Sequence, residues 1–214
     1  MSTIAVVDYG MGNLRSVAKA LEHVAPAGTR VTVTDRAAAI EGAGRVVFPG
    51  QGAARDCMRA IDAHGLRAPL LAAARSRPFL GMCMGLQVLL AHSEENEGTD
   101  CLGVFEGTVR FLGLDGRDDG QGGALKIPHM GWNAVTQARA HPLWAGIADG
   151  TRFYFVHSYF ADPADDALVA GTTDHGRTFA AAIARDNVFA CQFHPEKSSH
   201  DGLRLLANFV AWEP

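Results

Sequence analysis

The sequence predicts an α/β fold with a mainly parallel central sheet flanked by helices and carrying an antiparallel extension. Three observations predict it. In the first half, short apolar runs alternate with segments whose apolar residues recur at helical spacing, and such uninterrupted strands imply a sheet covered on both faces. In the second half the segments are strand-like and joined by turns, with few convincing helices. The 214 residues, 48% of them hydrophobic, suit a single domain over 1–214 with one sizeable core.

Taken in order, Ile4–Val7 is a buried-strand run, and Leu14, Val17, Ala18 and Leu21 fall on one helix face. Arg30–Thr34 and Arg45–Phe48 are strands rich in β-branched residues. Ala53–Arg75 reads as helical, with a break around His64-Gly65 and Pro69. Pro78–Leu80 is a further strand, and Leu86–Ala91 reads as the helix that follows it. Val104–Phe111, Trp132–Thr136, Phe153–Phe160, Leu168–Thr173 and Phe179–Ile183 form the strand-rich half, and Asn187–Phe193 is one more strand. Leu203, Leu206, Ala207 and Val210 close the chain with a helical face. The acidic, glycine-laden Asp115–Gly123 stretch is expected to be a mobile insertion, since each flank needs the other's core.

A net charge of −4 and a pI near 6.1 leave no basic footprint for nucleic acid or an anionic membrane. The first residues lack the cationic start and long apolar stretch of a signal peptide. No segment reaches the roughly 18 apolar residues of a membrane helix. The four cysteines, Cys57, Cys83, Cys101 and Cys191, form no CxxC pair and read as reduced thiols of a cytoplasmic protein.

The most informative segment is Phe79-Leu-Gly-Met-Cys83-Met-Gly85-Leu-Gln. Gly-x-Cys-x-Gly between a strand and a helix is the thiol form of the nucleophile elbow, where small residues two before and two after permit a sharp turn. The turn presents Cys83 at a helix amino terminus, which favours the reactive thiolate, and aims the Met84 N–H at a developing oxyanion. Taken alone, the motif serves equally well as a buried cysteine in a glycine-lined turn.

A thiol nucleophile needs a base. Among nine histidines, His194 stands out through Phe193-His194-Pro195-Glu196. Proline biases His194 toward an extended conformation, in which residues i and i+2 share a side, so Glu196 can orient the ring as the third member of a triad. The preceding strand places the pair at a carboxyl edge, where open α/β sheets build their sites. An isolated pair of this kind is more often plain surface; an elbow and an oriented histidine in one chain strengthen each other. Cys191 and His194 have a C-x-x-H spacing, but the odd separation on a strand sends them to opposite faces and no second pair exists, so no metal is expected.

These residues resemble the class I, triad-type glutamine amidotransferases over essentially the whole chain. The general marks are Gly81-Met-Cys83-Met-Gly85-Leu-Gln87, Phe48-Pro-Gly50-Gln-Gly52 and His194-Pro-Glu196. Asp8-Tyr-Gly-Met-Gly-Asn13-Leu, Pro128-His-Met-Gly-Trp-Asn133, Val156-His-Ser-Tyr159 and His194-Pro-Glu-Lys-Ser198 are similar to the glutaminase subunits of imidazole glycerol phosphate synthases. The resemblance implies a catalytic triad of Cys83, His194 and Glu196 that hydrolyses L-glutamine through a thioester without any cofactor. It implies an oxyanion hole made by the backbone of Gln51 and Met84, and a glutamine pocket lined by Gly50, Gly52, Gln87, His157, Ser158 and Tyr159. It also implies a heterodimer with a (β/α)8-barrel cyclase that consumes the ammonia, faced by Asn13, Trp132 and Lys197. For Trp132, a core position in a strand is the equally weighted alternative.

Three rivals stay open on the sequence: the glutaminase of another amidotransferase, a catalytically silent docking subunit, and a cysteine peptidase or deglycase on a related sheet. The Pro128–Asn133 segment argues against the first and the intact triad residues against the second.

Overall fold

The computed structural model describes residues 2–113 and 125–214, so the Asp115–Gly123 insertion lies outside the described residues. The chain runs β1 (Thr3–Val7), α1 (Leu14–Val24), β2 (Arg30–Thr34), α2 (Ala37–Glu41), β3 (Arg45–Gly50), α3 (Ala54–Ala63), α4 (Arg67–Ser76), β4 (Phe79–Cys83) and α5 (Met84–Gln87). It continues with β5 (Leu90–Ser93), β6 (Thr99–Asp100), β7 (Phe105–Phe111), β8 (His129–Ala134), β9 (Thr136–Gln137) and β10 (Arg152–His157). The last elements are β11 (Tyr159–Pro163), β12 (Val169–Asp174), β13 (Thr178–Arg185), β14 (Val188–Cys191) and α6 (Ser199–Ala211).

The main sheet has the order β2-β1-β3-β4-β14-β13-β11-β7-β5-β6, with β12 on β13 and β9 on β12. From β2 through β14 neighbouring strands are parallel, and β13, β11 and β7 then continue in alternating directions. This is the parallel sheet with an antiparallel extension that the two halves of the sequence predict.

The continuous apolar strands follow from burial on both faces. In β1, Ile4 and Val6 pack into one core cluster while Ala5 and Val7 pack into the other. In β3 and β4, Phe48 and Phe79 belong to the second of these faces, and Val47, Leu80 and Met82 to the first. Cys57, Ile61, Leu70 and Ala73 of α3 and α4 cover one face; Val17, Leu21, Leu205 and Phe209 of α1 and α6 cover the other. With side chains alternating along each strand, two helical layers leave no polar side to show in the sequence.

Several expected elements differ in detail. Leu86–Ala91 is not a helix: α5 is a single turn, and from Leu90 the chain is a strand parallel to β7. Leu86, Val88, Leu89 and Leu90 are all fully buried, and a short run apolar on every side carries no period to separate the two conformations. The break at His64-Gly65 exists, with Gly65 at φ 65°, but Pro69 does not break anything. It lies in the first turn of α4, where an amide N–H would have no helical partner.

The expected strand Phe153–Phe160 is two strands that part at Ser158. β11 joins the main sheet, whereas β10 leaves it to form a separate two-stranded ribbon with β8 rather than extending the sheet. The strand expected over Asn187–Phe193 ends at Cys191.

Candidate active site

Three parallel strands end at one edge. β3 and β4 are paired to their last residues, Gly50 opposite Cys83, and β14 lies beside β4 with Cys191 opposite Met82. Their carboxyl ends therefore bring Gly50-Gln51-Gly52, Cys83-Met84 and Gln192–Glu196 together, the edge at which open α/β sheets bind their ligands.

Cys83 sits at the turn from β4 into α5 with φ 55° and ψ −110°, a conformation that costs a non-glycine residue about 1–3 kcal/mol. The flanking glycines make the turn possible. A Cβ on Gly85 would overlap the Phe48 carbonyl, and one on Gly81 would stand 2.9 Å from the Gly85 carbonyl oxygen and 3.0 Å from Ala190 Cβ. Gly50 is equally constrained, because the Tyr9 hydroxyl occupies the space a side chain would need. The elbow is thus present, although α5 is only one turn long, and the aligned dipole expected behind the sulfur shrinks with it.

Beyond β14, His194 keeps an extended backbone and donates its N–H to the Tyr154 carbonyl at 2.9 Å. Its Nδ1 lies 2.9 Å from Glu196 Oε1, and the side chains are 9% and 2% exposed. The route to this contact differs from the extended i, i+2 arrangement expected: Pro195–Lys197 is a 3₁₀ turn, which curls the carboxylate under the ring. Ser198 locks the turn, donating its hydroxyl to the His194 carbonyl at 2.6 Å and accepting the Tyr154 N–H at 3.0 Å.

A carboxylate can only accept, so Nδ1 carries a hydrogen and Nε2 is the ring nitrogen left free of Glu196. Nε2 is buried and has no hydrogen-bond partner. Burial alone would disfavour the imidazolium, yet the sulfur of Cys83 and the Glu196 carboxylate outweigh it and raise the His194 pKa to about 10. Hydrogen bonding and charge from the sulfur both contribute to that rise, although no partner of Nε2 meets strict hydrogen-bond geometry at rest. By contrast, burial pushes Cys57 up to about 12 and Cys101 up to about 11, and Cys191 rises as well, so those thiols stay neutral packing groups.

The edge encloses a cavity of about 340 Å³. Cys83, Met84, His194, Gln51, Gly52, Gln87, His157, Ser158, Tyr159 and Lys197, all named from the sequence, line it. Gly50 and Glu196 are not in the wall: Gly50 backs Met84, and Glu196 stands behind His194. The polar groups of Gln87 and His157 are already engaged by protein, Gln87 Nε2 donating to the Tyr159 carbonyl at 2.8 Å and His157 Nδ1 to the same carbonyl at 2.9 Å. The Gln51 carbonyl is turned toward the Cys57 thiol at 3.5 Å.

Asn13 and Trp132 are outside the cavity. Asn13 is exposed just before α1. Trp132 is 43% exposed on β8, which decides between its two readings in favour of the surface. Its ring meets Tyr154 edge-on at 6.3 Å, and Lys197 Nζ lies 5.8 Å above the other partner of that contact, the Tyr154 ring. Tyr154 thus joins Trp132 to Lys197, and it was not singled out from the sequence.

Glu95, Pro128 and Val156 also line the cavity unannounced. Pro128 and Val156 do fall within the segments that carry the subfamily resemblance, whereas Glu95, in a solvent-facing acidic run, gave no local signal. Gln192, fully buried with Nε2 3.8 Å from the Cys83 sulfur, was likewise missed.

The family description "Glutamine amidotransferase class-I" matches residues 5–212. The chain is 61% identical to the imidazole glycerol phosphate synthase subunit HisH of Thiobacillus denitrificans, across 99% of this chain and 92% of that one. It is 59% identical to the subunit of the same name from Dechloromonas aromatica, across 99% and 97% of the two chains. Subunit HisH 1 of Pseudomonas aeruginosa is 57% identical across 100% and 98%. Among solved structures, a glutamine amidotransferase superposes with a TM-score of 0.71 at 16% identity over 97% of this chain and 99% of that one. A chain of PurLQS from Thermotoga maritima gives 0.70 at 18% identity over 98% of each chain, a likeness of fold.

Proposed function

Because the chain belongs to the class-I glutamine amidotransferase family, we propose that Cys83, His194 and Glu196 are its catalytic triad, working as one domain over 1–214. The protein is a glutaminase that hydrolyses L-glutamine to glutamate and ammonia and supplies the ammonia for histidine biosynthesis. The observation that carries the triad is His194 itself: one nitrogen held by Glu196, the other buried, unpaired and in the wall of a cavity that also holds the Cys83 sulfur.

The chemistry follows from that arrangement. The proton of the thiol lodges on Nε2, and the sulfur attacks the amide carbon of glutamine. Charge develops on the amide oxygen, where the backbone N–H groups of Met84 and Gln51 receive it. Nε2 then gives its proton to the departing nitrogen, ammonia leaves, and a γ-glutamyl thioester remains. The now neutral imidazole takes a proton from water, which attacks the thioester through a second oxyanion and frees glutamate and the sulfur. Glu196 holds the ring in one tautomer throughout. Every proton is accounted for by one residue and water, and no cofactor is called for.

Ammonia released into water at neutral pH becomes ammonium and ceases to be a nucleophile, so its user must sit close. The partner in this reading is a (β/α)8-barrel cyclase, bound as a heterodimer against Asn13, Trp132 and Lys197. Glycines on both sides of Gln51 allow its peptide to rest with the N–H turned away, so the isolated subunit is expected to be nearly inactive until the partner and its ligand bind. Among the described residues no helix is long and apolar enough to cross a membrane, and the reading places the protein in the cytoplasm.

The test is ammonia release from glutamine by the reconstituted pair, with Cys83→Ala as control. Turnover that requires the sulfur supports the reading; equal turnover without it, or equal rates with and without the cyclase, removes the corresponding part.

A further inference from the structure

The ribbon of β8 and β10 has two faces. One exposes Met130 and Trp132; the other buries His129, Phe155 and His157, with His129 directly opposite His157 across the strands. His129 Nδ1 and His157 Nε2 are 3.0 Å apart, and both residues are nearly inaccessible.

The hydrogens in this pair can be assigned. The Tyr159 carbonyl only accepts, so His157 Nδ1 carries a hydrogen. Burial, with the neighbouring histidines, lowers His129 to about 3; burial lowers His157 to about 4, so each ring is neutral at pH 7 and carries one hydrogen. His157 Nε2 is therefore an acceptor and His129 Nδ1 its donor. His129 Nε2 then accepts from Asn133 Nδ2 at 3.2 Å, and that amide also donates to the Asp174 carbonyl at 2.7 Å.

The chain does not stop at Tyr159. Its carbonyl also receives Gln87 Nε2 at 2.8 Å; the same amide nitrogen donates to Gln192 Oε1 at 3.0 Å, and Gln192 Nε2 points at the Cys83 sulfur at 3.8 Å. Each amide and ring therefore has its orientation set by the one before, from the strand that bears Trp132 to the sulfur.

We propose that His129 and His157, acting through Gln87 and Gln192, are positioning residues that aim the Cys83 sulfur from the ribbon, so that displacement of the ribbon on docking is felt at the nucleophile. The proposal rests on the reading of Cys83 as the nucleophile and of the Trp132 face as the docking face. Neutral polar groups in series transmit orientation because a buried donor or acceptor left unmatched is costly, so turning one member turns the next.

The experiment uses the full chain with the cyclase and measures kcat, KM and the rate at which iodoacetamide alkylates Cys83. His129→Phe keeps the stacking on Phe155 and His175, at 4.9 and 4.1 Å, but removes the N–H that His157 needs. It should lower kcat about tenfold, the cost of one buried hydrogen bond, with KM within about twofold. Gln192→Met should do the same, and the double variant should be no slower than the slower single one within about twofold, because both cut one chain. His129→Asn, whose amide nitrogen stands where Nδ1 was, should recover most of the loss. Losses that multiply in the double variant, an unmoved kcat, or no difference between Asn and Phe overturn the proposal. If His129→Phe does not melt cooperatively, Asn133→Leu removes the donor one step outward and is read by the same criteria. Should the wild-type pair release no ammonia, the glutaminase reading falls by itself, and the alkylation rates still report on the chain: the same ordering of variants supports it and identical rates sink it.

Discussion

His194 Nδ1 and Glu196 Oε1 meet at 2.9 Å, while the opposite ring nitrogen is buried and unpaired. A ring held at one nitrogen and idle at the other is poised to carry a proton between the sulfur and a leaving group. Replacing the carboxylate by its amide keeps the shape but loses the charge and the forced tautomer. Glu196→Gln is expected to reduce kcat for ammonia release on the order of 10²–10⁴-fold, with a small change in KM. A fall of less than about threefold would remove Glu196 from the triad.

The two kinds of histidine give stability a maximum in pH. His194 has a folded pKa of about 10, above its unfolded value, so its contribution is complete below about pH 6.5 and disappears as pH rises toward 10. His129, His141 and His157, lowered by burial to about 3, about 4 and about 4, contribute above about pH 6.5 and lose that contribution as pH falls through those values. Urea unfolding from pH 4 to 10 should therefore peak near pH 6.5, with the alkaline limb flattened in Glu196→Gln. A curve that does not fall on the alkaline side would contradict the His194 assignment, and one that does not fall on the acid side would contradict that of the three buried histidines.

Backbone strain at Cys83 gives a separate prediction. Cys83 holds φ 55° and ψ −110°, which glycine adopts with far less cost. Cys83→Gly should raise the unfolding free energy by about 1 kcal/mol while abolishing ammonia release, a trade that denaturant midpoints and an activity assay read together.

Gly85 tests the elbow from the other side. Its Cβ would coincide with the Phe48 carbonyl of the neighbouring strand, and neither backbone can withdraw without breaking the pairing of β3 with β4. Gly85→Ala should cost about 3 kcal/mol or more in urea unfolding, as severe overpacking does. Gly44→Ala, whose added carbon meets only ordinary contacts from 3.4 Å outward and whose φ lies outside the left-handed region, serves as the glycine control.

Trp132 contributes nothing to the core clusters and presents its ring at the surface beside Tyr154. Trp132→Ala should leave the melting temperature within a few degrees but weaken cyclase binding by about 30-fold in titration calorimetry, the loss typical of an aromatic anchor. Undiminished affinity would move the interface elsewhere.

Much of this was legible before any coordinates, for local reasons. Gly81, Cys83 and Gly85 are clustered because one turn needs all three, and Glu196, two residues from His194, is close in sequence as well as in space. Alternating strand and helix signals in the first half gave the parallel sheet. What misled was also physical. Leu86, Val88, Leu89 and Leu90 are apolar because all four are buried, so period could not separate a single helical turn followed by a strand from one continuous helix. The 3₁₀ turn beneath His194 was hidden by the proline, which favours an extended residue before it and says little about the residues after.

Residue types and local spacing by themselves supplied the candidate groups: a thiol on a sharp glycine-flanked turn, an imidazole, and a carboxylate two residues on. Only the tertiary structure decided that β14, arriving from the far end of the chain, lies parallel to β4, so that His194 reaches the cavity beside Cys83. It also decided that Gln192, Glu95 and the His129–His157 pair join them. Pairing between distant strands is selected by the packing of both sheet faces at once, and no short stretch of sequence contains that sum.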